Sequence, residues 1–278
     1  MARPLLVIDG DNFAHRAYHG VPKSVLRDNG RGGNSILGFA NTLMRLYEAE
    51  HPRAVLVGWD TLDHPTYRHI AFPDYQSGRV FDASLLEQLD MLPELVTACG
   101  FVAAKGKGYE ADDFLAAGVA AEEKTGGTVL LASGDRDAFQ LASDRTTILH
   151  PVKGGELMRI GPAEVRDRYG VEPRQVPDFI ALRGDPSDKL PGAKGVGAIG
   201  AASLLGRYAS LEDALADGRF AAQADALRLY RRIATMDATA PIPPIPDLAK
   251  PTWERGAALL RDLGLPRLAD RMAELGRG

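Results

Sequence analysis

Nine carboxylates fall in five short clusters along this chain: Asp9; Asp60; Glu110, Asp112 and Asp113; Asp135 and Asp137; Asp185 and Asp188. Most follow an apolar run, as in LLVIDG, AVLVGWD and TVLLASGDRD. Such runs, bounded by Gly and polar residues, read as buried parallel strands, so each carboxylate is expected at a strand's C-terminal end. In open α/β sheets that edge is where sites form. Carboxylates gathered there repel one another unless cations hold them, and an all-oxygen set favours Mg²⁺ or Mn²⁺. The chemistry implied is metal-dependent and directed at phosphate. Each cluster alone has a plainer reading: helix capping for Glu110, Asp112 and Asp113, an Asx-type turn for Asp135 and Asp137, and a helix stop with a turn for Asp185 and Asp188. Their recurrence at the same kind of place is what favours a common site.

The elements that must position these residues alternate over the first half: PLLVIDG, the helical SILGFANTLMRLYEAE, AVLVGWD, SLLEQLDMLPELVTACG, a short FVAA, the helix ADDFLAAGVAAEEKTG and TVLLASGD. This βαβα order predicts an α/β fold, a mostly parallel twisted sheet flanked by helices. Between Asp60 and about Phe81 no period is evident, and a loop that long is usually functional. After Gly170 the pattern turns to helices punctuated by glycine. The PIPPIP stretch reads as an extended connector, with a final helical segment from WERGAALLRDLG packing back on the core.

Composition excludes several classes. No apolar stretch approaches a membrane span, and MARP leads directly into a strand without signal-peptide architecture, so a cytoplasmic protein without membrane contact is expected. The single cysteine, Cys99, rules out an intramolecular disulfide and a thiolate cluster and reads as buried packing. Six histidines lack an HxxxH or HExxH spacing. The net charge of −4 does not exclude a nucleic-acid partner, because the clustered carboxylates would be neutralised by bound cations.

Within LPGAKGVGAIGAASLL, Gly192, Gly195 and Gly197, with Lys194 among them, precede an apolar helix read from about Ala198 to Tyr208. Glycines there let a backbone approach phosphate closely, N–H groups and helix N-terminus facing the anion. The segment is neither a Walker A motif nor a GxGxxG turn. A hairpin between helices gripping a nucleic-acid backbone fits better than nucleotide binding; a simple C-cap and turn is the alternative.

Taken together, VIDGDNFAHRAYHGVP, GYEADD, SGDRDAFQL and GDPSDKLPGAKGVG resemble the motifs of the bacterial 5′ nuclease, or flap endonuclease, family, over most of the chain. The resemblance implies a PIN-like core over 1–170, with an arch near 61–82. A helical DNA-binding region, 171–278, would carry a helix-three-turn-helix near 176–208. It implies two Mg²⁺ or Mn²⁺ ions, Asp9, Asp60, Glu110, Asp112 and Asp135 around one and Asp137, Asp185 and Asp188 nearer the other. Asp113 would bridge or support them. A K⁺ ion in the hairpin is also implied. The expected reaction is 5′ to 3′ exonuclease and flap cleavage by in-line hydrolysis, on DNA with a 5′ flap or 5′ end, including RNA/DNA primer junctions. Arg68 and Arg79 match positions expected to hold the scissile phosphate, and Tyr75 could stack on an unpaired base. The family's usual Tyr-Lys is here Tyr75-Gln76, which weakens catalysis unless Arg79 or Lys23 substitutes. GAIGA replaces a Lys-containing hairpin helix, removing one phosphate contact, and Arg136 replaces a usual Lys. No polymerase-like sequence follows, so a stand-alone, monomeric nuclease is expected, with no protein partner legible. A structure-specific DNA-binding paralogue is the alternative. A single-strand RNase of related architecture is disfavoured by the duplex clamp.

Overall fold

In the computed structural model, which describes residues 3–153, 155–247 and 250–277, the apolar runs become the middle of a six-stranded sheet. Its strands are β1 (Leu5–Asp9), β2 (Ala54–Trp59), β3 (Val102–Lys105), β4 (Val129–Ala132), β5 (Thr146–Pro151) and β6 (Leu157–Ile160), in the order β3-β2-β1-β4-β5-β6. Neighbours run parallel except β5 and β6. The helices follow in chain order: α1 (Gly10–Gly20), α2 (Asn34–Glu50), α3 (Tyr67–Ala71), α4 (Ala83–Ala98), α5 (Ala111–Lys124) and α6 (Pro162–Tyr169). Then come α7 (Val176–Arg183), α8 (Ala198–Leu205), α9 (Leu211–Ala216), α10 (Ala224–Ala234), α11 (Trp253–Asp262) and α12 (Pro266–Leu275).

Strand β1 explains why its sequence is apolar throughout instead of alternating. Successive side chains point to opposite faces, and both faces are covered. Leu5 and Val7 pack among Phe114 of α5, Phe179 of α7 and Leu227 of α10. Leu6 and Ile8 pack among Phe39 of α2, Leu92 of α4, Trp253 of α11 and Met272 of α12. A parallel sheet covered on both sides reads as a continuous hydrophobic run. The α11–α12 pair does pack back on the core, on the face opposite α7 and α10, and the extended proline stretch carries the chain between the two faces. Cys99 is fully buried against Met272 Sδ at 3.8 Å, and burial pushes its thiol up to about 12, the environment of a packing residue.

Three features depart from the sequence expectation. The β5–β6 hairpin was not anticipated: β6 is a four-residue edge strand with Met158 exposed, and a single covered face leaves only a weak apolar signal. The segment after Asp60 is not loop throughout, since Thr66 and His69 close a capping box on α3. Finally, α8 ends at Leu205, capped by Gly206, and not at Tyr208.

Candidate metal centre

The carboxyl edge of the sheet gathers the clusters into one cavity of about 370 Å³. Asp9, Asp11, Asp60, Glu110, Asp112, Asp135, Asp137, Asp185 and Asp188 all line it. Asp9 ends β1 and caps α1, accepting from the Asn12 N–H at 3.0 Å and the Ser133 hydroxyl at 2.7 Å. Asp60 follows β2 and accepts from the Ala111 N–H at 2.7 Å, which joins the end of β2 to the start of α5. Glu110 is the N-cap of α5 and Asp112 stands in its first turn. Asp135 accepts from the Asp137 N–H at 2.9 Å, the Asx-type turn foreseen as the plain alternative, yet both residues still line the cavity.

Asp185 and Asp188 arrive from a different element. The loop after α7 closes on itself through paired hydrogen bonds between Asp185 and Leu190 at 2.8 and 2.9 Å. Closure needs glycine at both ends. Gly184 has φ +80 and Gly192 φ +75, and a Cβ on Gly192 would lie 2.5 Å from the Gly184 nitrogen. Gly192 is therefore buried inside this closure. The expectation that it meets a phosphate is corrected, and Gly195 and Gly197 carry the exposed, unobstructed backbone of the turn together with exposed Lys194.

The electrostatics are those of carboxylates short of cations. Burial is the largest cause in every case: it pushes Asp9 and Glu110 up to about 7, and raises Asp11, Asp60, Asp112, Asp137 and Asp188 above the ordinary carboxylate range. Neighbouring carboxylates add to it at Asp9 from Asp135 and Asp60, and at Asp112 from Asp135 and Asp9. Among the described residues no three His, Cys, Asp or Glu side chains close on a single point as direct ligands. The acids instead ring an open cavity whose polar lining is mostly carboxylate oxygen. The all-oxygen donors and their uncompensated charge thus fit hard divalent cations.

Four further expectations are corrected. Asp113 lies outside the cavity lining, fully buried, its carboxylate held by both Arg68 terminal nitrogens at 2.7 Å and by the Asp237 N–H at 2.8 Å. It has no free lone pair directed at an ion. Arg68, also buried, donates to the Ile233 carbonyl and stands 3.4 Å from Glu110, so its guanidinium is committed within the fold and does not line the cavity. Tyr75 is 3% exposed, so its ring is not free for base stacking; its hydroxyl donates to Glu110 at 2.9 Å. Lys23 stands outside the cavity, over the Tyr18 ring and 3.8 Å from Asp82.

Gln76 and Arg79, like the Tyr75 hydroxyl, do reach the acids. Gln76, in the left-handed region at φ +48, donates to the Tyr75 hydroxyl at 2.8 Å and to Asp188 at 2.9 Å. Arg79, 44% exposed, stands 3.4 Å from Asp188. Asp11 is the carboxylate that sequence reading missed: 8% exposed, it lines the cavity and accepts the Asp60 N–H at 2.7 Å. The signal was present in VIDGDN, where a second acid follows two residues after Asp9.

Residues 4–170 match the model of the 5′-3′ exonuclease N-terminal resolvase-like domain, and 171–255 that of the 5′-3′ exonuclease C-terminal SAM fold. DNA polymerase I of Mycobacterium tuberculosis is 37% identical over 290 residues, covering 98% of this chain and 32% of that protein. The thermostable DNA polymerase I of Thermus thermophilus is 39% identical over 212 residues, 76% of this chain and 25% of that protein. The chain thus spans at most about a third of the length of these curated relatives. Among solved structures, the T5 5′-exonuclease with bound divalent metal ions (zinc) superposes with TM-score 0.70 at 18% identity, covering 98% of this chain and 99% of that one. The catalytic core of Rad2 in complex with DNA substrate follows with TM-score 0.61 at 13% identity, covering 98% and 91%.

Proposed function

The chain belongs to the 5′-3′ exonuclease family, and on that premise we propose that it hydrolyses phosphodiester bonds at 5′ ends and 5′ flaps of DNA. The observation that carries this reading is the convergence of carboxylates from both matched regions on one cavity, Asp9 to Asp137 from the first and Asp185 and Asp188 from the second. Two Mg²⁺ or Mn²⁺ ions are the proposed cofactors. Asp9, Asp60, Glu110, Asp112 and Asp135 would hold one, and Asp137, Asp185 and Asp188 the other. When bound, such ions supply Lewis acidity and a more acidic water.

The chain's own groups then have separable tasks. Asp11 fixes the backbone at Asp60, and the Tyr75 hydroxyl orients Glu110. Arg79 is the half-exposed cation at the cavity mouth, placed to exchange Asp188 for a phosphate oxygen. The helical region after residue 171 is the proposed duplex clamp, with Gly195, Gly197 and Lys194 facing the DNA backbone and K⁺ seated in that turn. RNA/DNA primer junctions are included in the substrate class. Monomeric action and a cytoplasmic location belong to the same proposal; among the described residues no helix is long and apolar enough to cross a membrane.

One observation favours a second reading, a DNA-binding protein with little turnover. Gln76 is neutral, and its amide contacts Asp188 inside the site. A 5′-labelled flap duplex incubated with Mg²⁺ or Mn²⁺ decides between them. Metal-dependent products near the junction, lost in Asp135→Asn at equal DNA occupancy, establish the nuclease. Tight binding without products in either protein establishes the second reading.

A further inference from the structure

The side of α3 turned away from the acids opens on another concavity. Tyr67 and Ile70 of α3, Lys107 and Tyr109 of the turn before α5, and Arg232 of α10 help line a groove of about 900 Å³. Its other charges are committed. Arg228 pairs with Glu212 at 3.0 Å and Arg231 with Asp178 at 2.7 Å; Asp237 accepts from the Thr239 N–H at 2.8 Å and stays negative, so with Lys107 and Arg232 the groove keeps a positive excess. Lys107 and Arg232 are exposed and make no ion pair among the described residues. Ile70, 75% exposed, leaves an apolar surface in water beside the two tyrosines.

Two free cations beside apolar and aromatic surface match the chemistry of an unpaired strand, whose phosphates take the cations and whose base faces pack on the rest. A duplex would satisfy only the cations, its base faces being stacked. The position agrees. Thr66 and His69, the N-cap and inner face of the same helix, line a cavity of about 340 Å³ that shares Asp60, Gln76, Arg79 and Glu110 with the metal centre. A helix is only about 10 Å across, so a strand leaving past Thr66 reaches the groove within a few nucleotides.

We propose that this groove binds the 5′ single strand beyond the scissile bond, through Lys107 and Arg232. The inference rests on the proposed function and extends it to flap length. Both side chains are exposed, so the Lys107→Glu/Arg232→Glu double variant should melt as the wild type does. Its binding of a 5′-labelled oligo(dT) of about twelve nucleotides, read by anisotropy in Ca²⁺, should weaken on the order of tenfold. The log–log salt slope should flatten by about 1.4. With a flap of similar length, KM should rise while kcat holds, and a single-nucleotide flap should be cleaved as by the wild type. Undiminished oligo(dT) binding overturns the proposal whether or not the protein cleaves. Equal losses on single-nucleotide and long flaps overturn it as well, since the residues would then serve the duplex or the site. Absence of cleavage by the wild type would instead count against the nuclease reading, leaving the anisotropy result to decide the groove.

Discussion

Two kinds of carboxylate stand side by side at the start of α5. Asp113 is met by an arginine fork and a backbone N–H, so its charge is compensated within the fold. Asp112, one residue earlier, is raised by burial and by Asp135 and Asp9, and the Arg68 charge offsets only part of that repulsion. Opposite mutational signatures follow. Asp113→Asn removes the bidentate partner of buried Arg68, leaving it only Glu110 at 3.4 Å, and should cost about 3 kcal/mol of stability, measured by urea denaturation. Asp112→Asn removes a repelling charge, so in EDTA it should raise the melting temperature while metal-dependent cleavage falls by at least about a hundredfold. A destabilised Asp112→Asn or a fully stable Asp113→Asn would reverse these roles. The spacing EADD did not distinguish them, because both acids sit in the first turn of α5. Which one faces Arg68 is decided by a residue more than forty positions away in the chain.

The elements show why some parts of the site were legible and others not. β1, β2 and β4 are covered on both faces, so their sequences are unbroken apolar runs and the acid after each run could be placed at the sheet edge. α3 was not legible, being five residues long, and with it went the burial of Arg68 and Tyr75, which pack against α5 and α10. The loop from Gly184 to Gly192 lies between these extremes: its motif was visible, but the contact of its two glycines is tertiary. Gly192→Ala tests that contact. The added methyl would meet the Gly184 backbone in a left-handed conformation, so a cost of at least about 1–3 kcal/mol is expected. Asp185 and Asp188 should be displaced with it, lowering metal affinity, read by calorimetric Mn²⁺ titration. Gly195→Ala, with open space around the site of its Cβ, should leave Mn²⁺ affinity unchanged. Equal losses in both variants would remove the distinction between closure and exposed turn.

At the scale of the whole molecule, the acidic edge makes stability depend on pH and metal together. Asp9 and Glu110 are held up to about 7, above the ordinary carboxyl range, so between that range and about 7 the folded state binds more protons than the unfolded chain. Stability must then fall as pH rises through that window. Cations that replace those protons reverse the trend, since they bind the folded, deprotonated site. In EDTA the melting temperature should therefore decline between about pH 5 and about pH 8, and added Mg²⁺ or Mn²⁺ should raise it more at the upper end. Metal binding near neutrality should also release protons, visible as a buffer-dependent heat. Other titrating groups contribute to any such profile, and the difference between wild type and Asp112→Asn isolates the site: the gap should widen with pH in EDTA and close with metal. A melting temperature in EDTA that rises steadily across this window, identically in both proteins, would mean that the carboxylates are compensated inside the fold, and the argument for two cations would lose its electrostatic basis.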